Sequence, residues 1–155
     1  MFIWLIIACL TVLLDQLSKY LIVENFGSTD QFTFVPGLID IVYVKNTGAA
    51  FSIFENHTWI LGTISVVFCV AIVIYMLINK PKHKLSLISA GLLLGGALGN
   101  GIDRVIRHYV VDFIELTLFT FPVFNLADVA ITVGALLIIV YTILYDKDIE
   151  AAEGK

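Results

Sequence analysis

The sequence predicts an all-α membrane protein, a bundle of four transmembrane helices with a small extracytoplasmic strand pair and an interfacial second outer loop. Of its 155 residues, 59% are hydrophobic and only 14% are charged. A soluble domain has about 45–50% apolar and about 25% charged residues, and one this small could not bury so much apolar surface. The apolar residues also gather into four runs of about 20 residues, the length that crosses a bilayer. This length fits a single domain over residues 1–155.

Composition and charge exclude two other classes of protein. Intrinsic disorder requires low hydrophobicity, which this chain does not have. A net charge of −4, a pI of about 5.2 and the lack of a basic stripe argue against nucleic-acid binding. Cys9 and Cys69 lie in apolar runs without a CxxC or His-spaced pattern, so we expect two buried free thiols and no zinc site or disulfide.

The membrane topology follows from the apolar windows and the lysines. The connector 79–84 has three lysines and no acid, which predicts that it lies in the cytoplasm together with both termini. The first window lacks a basic n-region and an A-x-A site, which favours a retained span over a cleaved signal. The predicted helices cover about 2–23, 59–78, 85–102 and 126–145, and the outer loops about 24–57 and 104–125.

The two outer loops differ in character. In the first loop, residues 32–35 and 39–44 are rich in β-branched and aromatic residues, and Pro36-Gly37 between them is a turn signal. We therefore expect a strand pair on the membrane surface. The second loop is short and apolar and is expected to rest in the membrane interface.

Polar residues in or beside the spans are candidate site residues, because an ionised group at mid-membrane costs about 2.5–3.5 kcal/mol. Asp15 and Lys19 are spaced i, i+4, so they form a structural ion pair or part of a site, and Lys19 is close enough to the outer edge to snorkel. Asn100 and Asp103 share a helix face, and Asp103 can also pair with Arg107.

The segment after the second predicted strand and the start of the fourth helix each have two interpretations. Asn46 and Gly48 form a turn or allow a close backbone approach. Asn125 and Asp128 resemble a capping box with Asp in the Glu position, yet the positive helix end also suits an ionised Asp128 at a site. Asp112, among Val, Phe and Ile, is a turn acid or a buried carboxyl whose pKa is raised by burial.

Asp112 and Asp128 are both expected at the outer face, because one follows the third span and the other starts the fourth. If these helices are neighbours, the two carboxyls meet and share a proton, since two close carboxylates cannot both ionise cheaply. One then acts as a base toward water and the other as an acid. That is the chemistry of an aspartic peptidase.

Five motifs, in this order, give the chain its resemblance to the lipoprotein signal peptidases (signal peptidase II), which are bacterial membrane aspartic peptidases. The resemblance covers nearly the whole chain, including four spans and two outer loops. The motifs are Asp15-Gln16-x-x-Lys19, Asn46-x-Gly48-Ala49-Ala50-Phe51, Gly99-Asn100-x-Ile102-Asp103-Arg104, Val111-Asp112-Phe113 and Phe124-Asn125-x-Ala127-Asp128.

The resemblance implies Asp112 and Asp128 as the catalytic dyad, with the acid and the base left open, a β-cradle after the first span, and no metal or other cofactor. It implies diacylglyceryl prolipoproteins as substrates, cut just before the lipidated Cys, and contact with membrane lipids. We expect a monomer, multi-pass in the bacterial cytoplasmic membrane, with the site near the outer face. The supporting or substrate-binding residues that it implies are Asp15, Lys19, Asn46, Gly48, Asn100, Asp103, Arg104 and Asn125.

Four alternative functions would each predict a residue pattern or a response to mutation that differs from that of a signal peptidase. A transporter or channel subunit would spread its acids through the membrane depth, whereas most acids here cluster at the outer edge. Another intramembrane aspartic peptidase would have Gly-x-Gly-Asp, and residues 99–103 have one residue too many. A purely structural scaffold would tolerate Asp→Asn changes. A metal enzyme is disfavoured because His57, His83 and His108 lack ligand spacing.

Overall fold

Four helices and three strands make up the protein in a computed structural model that describes residues 2–48 and 57–153, with side chains described up to residue 145. All four helices are long and apolar enough to cross a membrane. In chain order the elements are α1 (Ile3–Asn25), β1 (Gln31–Val35), β2 (Ile39–Asn46), α2 (Thr58–Asn79), α3 (Lys84–Ile106), β3 (Val110–Leu116) and α4 (Leu126–Glu153).

The third helix is the centre of the bundle. α3 packs against α1, α2 and α4, and 56% of its apolar window is buried, compared with 17–22% in the other three helices. Its glycines allow this, because small residues let helix backbones approach closely in lipid. A Cβ at Gly95 would lie 2.9 Å from the carbonyl oxygen of Ala8 in α1, and one at Gly96 would lie 2.5 Å from the carbonyl oxygen of Ala127 in α4.

Gly96→Ala is therefore expected to destabilise the protein by about 1–3 kcal/mol, because α3 and α4 must move apart to admit the methyl group. Thermal unfolding in detergent measures this as a lower Tm. Gly62→Ala in α2 is the matched control, since its Cβ would meet only the Cβ of Arg104 at an ordinary 3.7 Å. Equal Tm values for the two variants would contradict the close α3–α4 contact.

The outer surface of the bundle is apolar, and one side of it is open. Leu13 and Leu17 of α1, Val67 of α2 and Val133 of α4 are among the exposed side chains, as expected for helices that face lipid. Within the described part of the chain, the backbone of α2 lies close to that of α3 but not to those of α1 and α4, and side chains of α1, α2 and α3 share one hydrophobic cluster. An opening between α2 and α4 follows from this arrangement.

The predicted strand pair is present, and it is part of a larger sheet. β1 and β2 are antiparallel and are joined by a turn in which Gly37 has φ +72°. β3, from the second outer loop, pairs antiparallel with β2 and gives the strand order β1-β2-β3. No strand was predicted in the second outer loop, yet Val110–Leu116 forms β3. Its β-branched residues find their partner strand some 70 positions earlier in the chain, with Val44 opposite Asp112.

Two further predictions need correction. The third helix does not end near residue 102 but continues to Ile106, so Arg104, which was predicted to begin the second outer loop, belongs to α3 together with Asp103. Cys69 is buried as predicted, whereas Cys9 is exposed on the outer surface of α1. The other predicted helix ends agree to within two residues, except that α4 continues to Glu153. Residues 49–51 of the second motif lie outside the described residues.

Candidate active site

Asp112 lies in the middle of β3 with its carboxyl buried, since the residue is only 2% exposed. Its Oδ2 accepts a hydrogen bond from Asn46 Nδ2 at 2.7 Å, and its Oδ1 accepts one from Asn125 Nδ2 at 2.6 Å. Burial is the main reason that the pKa of Asp112 is raised from 3.8 to about 6. The nearby charge of Asp128 also raises this pKa, whereas the hydrogen bonds from Asn46 and Asn125 lower it. The predicted burial and its effect are confirmed.

Asp128 lies in the first turn of α4, where the predicted capping box is present. The Asp128 backbone N–H donates to Asn125 Oδ1 at 3.0 Å, and the Asn125 backbone N–H donates to Asp128 Oδ2 at 3.1 Å. The other carboxylate oxygen, Oδ1, accepts from Asn100 Nδ2 of α3 at 2.8 Å. The capping role of Asp128 is therefore compatible with a role in the site, because Oδ2 caps the helix while Oδ1 faces α3.

Asn125 joins the two carboxyls. Its side chain is fully buried, and its Nδ2 lies within hydrogen-bond distance of Asp112 Oδ1 and, at 3.1 Å, of Asn100 Oδ1. Since its Oδ1 and its backbone N–H contact Asp128, one residue fixes the positions of both acids. Asn100 completes the link, because its amide oxygen accepts from Asn125 and its amide nitrogen donates to Asp128.

A second group of polar residues lies behind this pair, inside the bundle. Lys19 Nζ is 2.9 Å from Asp15 Oδ2 and 3.0 Å from Asp103 Oδ2, and it donates to Asn100 Oδ1 at 2.8 Å. The predicted Asp15–Lys19 and Asp103–Arg107 pairs are both present, the second at 3.4 Å. The expectation that Lys19 snorkels to the edge was wrong, since its side chain is 0% exposed and three buried oxygens surround it.

Both carboxyls open onto a large cavity of about 940 Å³. Arg104 lies at this cavity, close enough to Asp128, Asp112 and Asp103 to interact electrostatically with each. Its Nε is buried and has no hydrogen-bond partner among the residues that the structure describes. The site residues that line the cavity are Asn46, Gly48, Asn100, Arg104, Asp112 and Asp128.

The structure thus brings all ten candidate residues of the sequence into one region, in two layers. Asp15, Lys19, Asp103 and Asn125 do not line the cavity and lie behind the others. One residue of the first motif was overlooked as a contributor: Gln16 Nε2 donates to the Gly99 carbonyl at 3.1 Å and to Asp15 Oδ2 at 3.2 Å. Its place beside Asp15 in an apolar helix was the available signal.

The chain is similar to a known protein family and to solved bacterial membrane enzymes. The family described as "Signal peptidase (SPase) II" matches residues 7–144. A lipoprotein signal peptidase of Lactobacillus johnsonii is 43% identical over 94% of this chain and 95% of its own length. A solved bacterial membrane enzyme, determined by the in meso method at 2.3 Å, matches with a TM-score of 0.88 and 32% identity, covering 94% of this chain and 90% of that one. A second, at 1.9 Å, has a TM-score of 0.83 and 34% identity, covering 92% and 93%.

Proposed function

Since this chain belongs to the signal peptidase II family, and is therefore a multi-pass membrane protease that removes signal peptides from prolipoproteins, we propose that Asp112 and Asp128 are its catalytic dyad. The observation that carries this proposal is the pair of carboxyls bridged by Asn125 at a single cavity. The cut falls just before a diacylglyceryl-modified cysteine.

The environments of the two acids support different roles for them. The burial that raises the pKa of Asp112 to about 6 favours its protonated form, which is what an acid needs. Asp128 accepts two N–H bonds at the positive end of α4, which favour a negative charge. Asp128 is therefore the base and Asp112 the acid.

The reaction uses one water and returns both acids to their starting state. Asp128 takes a proton from the water, whose oxygen bonds to the scissile carbonyl carbon while Asp112 gives its proton to the carbonyl oxygen. In the second step Asp128 passes its proton to the amide nitrogen, and Asp112 regains one from the tetrahedral intermediate as the C–N bond breaks. The products are a signal peptide with a free carboxyl group and a lipoprotein with a free amino group on its lipidated cysteine.

Substrate enters sideways through the opening between α2 and α4. The cavity is lined on one side by Ile64 and Phe68 of α2 and on the other by Val129 and Val133 of α4, so these walls are apolar where acyl chains and a signal helix would pass. The three lysines of connector 79–84 support cytoplasmic termini and a site near the outer face.

A cleavage assay with the purified protein in detergent tests the function. A prolipoprotein carrying diacylglyceryl-cysteine is expected to lose its signal peptide, and mass spectrometry of the product is expected to find the lipidated cysteine at the N-terminus. The same prolipoprotein without the lipid is the control and is expected to stay intact. Equal cleavage of both would contradict the proposed lipid requirement, and a cut elsewhere would contradict the proposed position.

The pH dependence of kcat/KM tests the assignment of acid and base. With Asp112 as the acid, kcat/KM is expected to fall as pH rises above about 6, the pKa of this group. Asn46 donates to the carboxylate and so lowers this pKa; without it the pKa rises. Asn46→Ala should therefore move the fall upward by about one pH unit, since a hydrogen bond to a charged group contributes about 1.5–3 kcal/mol.

Gln31→Ala is the control for the pH experiment, because Gln31 donates to a buried aspartate, Asp40, of the same sheet but away from the cavity. Its profile should match the parent's. If kcat/KM instead rises with pH through about 6, Asp112 is the base and the two roles are reversed.

A further inference from the structure

The buried ammonium of Lys19 has its full set of acceptors. An ammonium group has three N–H donors, and Lys19 has three oxygens within 3.0 Å, from Asp15, Asp103 and Asn100. The first two are carboxylates on α1 and α3, and all three contacts lie in the protein interior. The position of the ammonium is therefore fixed from three directions.

Each of the two buried acids also holds a backbone segment next to the dyad. Asp15 Oδ1 accepts from the Ala127 backbone N–H at 3.0 Å, and Ala127 directly precedes Asp128. Asp103 Oδ2 accepts from the Val111 backbone N–H at 3.2 Å, and Val111 directly precedes Asp112. The start of α4 and the start of β3 are thus each tied to one carboxylate, and Lys19 ties those carboxylates together.

The third contact of Lys19 acts on the dyad by another route. The Asn100 amide oxygen accepts from Lys19, so the amide nitrogen of Asn100 must point the other way, where it donates to Asp128 at 2.8 Å. Reversing this amide would place its nitrogen against the ammonium. Lys19 therefore also fixes which end of Asn100 faces Asp128.

We propose that Lys19, Asp15 and Asp103 form a charged clamp that sets the separation and orientation of the two catalytic carboxyls. The proposal rests on the proposed function of Asp112 and Asp128. None of the three clamp residues lines the cavity, so they are positioning residues and do not touch substrate. Because a misplacement of about 1 Å can cost about 100-fold in rate, such a clamp affects kcat and leaves substrate binding unchanged.

The test uses substitutions that leave Lys19, Asp15 and Asp103 without an unpaired charge; Arg107, which loses its contact with Asp103, is 28% exposed to solvent. Lys19→Met alone would leave two buried carboxylates without a partner, so it is combined with Asp15→Asn and Asp103→Asn. In this triple variant the amide oxygens can still accept from Ala127 and Val111, but the ammonium that joined them is gone and only the long contacts of Gln16 Nε2 remain, at 3.2 Å to residue 15 and 3.5 Å to residue 103. The single variant Asp15→Asn is the second probe, because one amide oxygen can serve Lys19 or the Ala127 N–H, but not both.

We expect the triple variant to fold and to cleave a diacylglyceryl lipopeptide with kcat lowered on the order of 100-fold and KM unchanged. Asp15→Asn should lower kcat about tenfold, also at constant KM. The matched control is Ser89→Ala, which removes a buried 2.8 Å hydrogen bond from α3 to the Gly134 carbonyl of α4, away from the cavity. It should lower Tm and leave kcat at the parental value.

Parental kcat in either clamp variant would overturn the proposal. A kcat that falls together with Tm in Ser89→Ala as it does in the clamp variants would also overturn it, because the rate would then depend on stability and not on position. Failure of both clamp variants to fold would also overturn it, since the cluster would then be a folding requirement and not a positioning device. The dyad is judged separately: active Asp112→Asn or Asp128→Asn protein contradicts the proposed function itself, whatever the clamp variants do.

Discussion

Asp112→Asn and Asp128→Asn proteins are expected to fold and to cleave lipidated prolipoprotein about 10²–10⁴-fold more slowly than the parent, because an amide can neither take nor give the required proton. Each asparagine keeps one of the two hydrogen bonds that the carboxylate accepted, so the overall geometry is retained. Single-turnover cleavage rates with saturating substrate measure the effect.

Asp40→Asn is the matched control for these two variants. Asp40 is also an aspartate of the sheet, 7% exposed and hydrogen bonded to an amide at 2.6 Å, but it does not line the cavity. Its rate should equal the parent's, and Tm values should separate lost chemistry from lost folding. Activity close to the parent's in folded Asp112→Asn or Asp128→Asn would move the chemistry elsewhere, with Asp103 as the next candidate.

Asn125→Ala is expected to have the second-largest effect, on both rate and stability. It removes the 2.6 Å donor to Asp112 and the acceptor that caps α4. A lost hydrogen bond to a charged group costs about 1.5–3 kcal/mol and a lost N-cap about 1 kcal/mol. The free energy of unfolding should therefore fall by about 3 kcal/mol. The rate should fall about 100-fold, because Asp112 loses the group that orients it toward Asp128.

Asn125→Ser separates the two contributions of this residue. Serine is a good N-cap but is too short to replace the amide at Asp112. Its Tm should lie between those of the parent and Asn125→Ala, while its rate stays as low as that of Asn125→Ala. A rate that recovers together with Tm would mean that Asn125 serves the helix start alone.

The helices and the strand pair could be predicted because their signals are local. A run of about 20 apolar residues, a turn at Pro36-Gly37 and a capping residue at Asn125 each act within a few positions of the chain. The candidate acids could also be identified from local sequence, because an ionised side chain within or beside an apolar span is energetically costly. Their grouping into one site came from a resemblance and from membrane depth, and neither gives a distance between side chains.

The errors at the site concern partners that are distant in sequence. β3 was overlooked because its partner strand, β2, lies in the other loop. The third helix continues beyond its predicted end near residue 102, where Asp103 is fully buried against Lys19 of α1. The position of Lys19 was wrong for the same reason: two of its three acceptors belong to α3.

The Asp15–Lys19 pair also matters before the protein is complete. The first helix enters the membrane while α3 and α4 are still being synthesised, so neither Asp103 nor the Ala127 N–H can yet stabilise it. A lone ionised residue raises the cost of inserting a helix by about 2.5–3.5 kcal/mol. With Asp15 and Lys19 one turn apart at 2.9 Å, the two residues insert as an electrically neutral pair. The ion pair that later serves the folded enzyme thus also makes the first step of its biogenesis feasible.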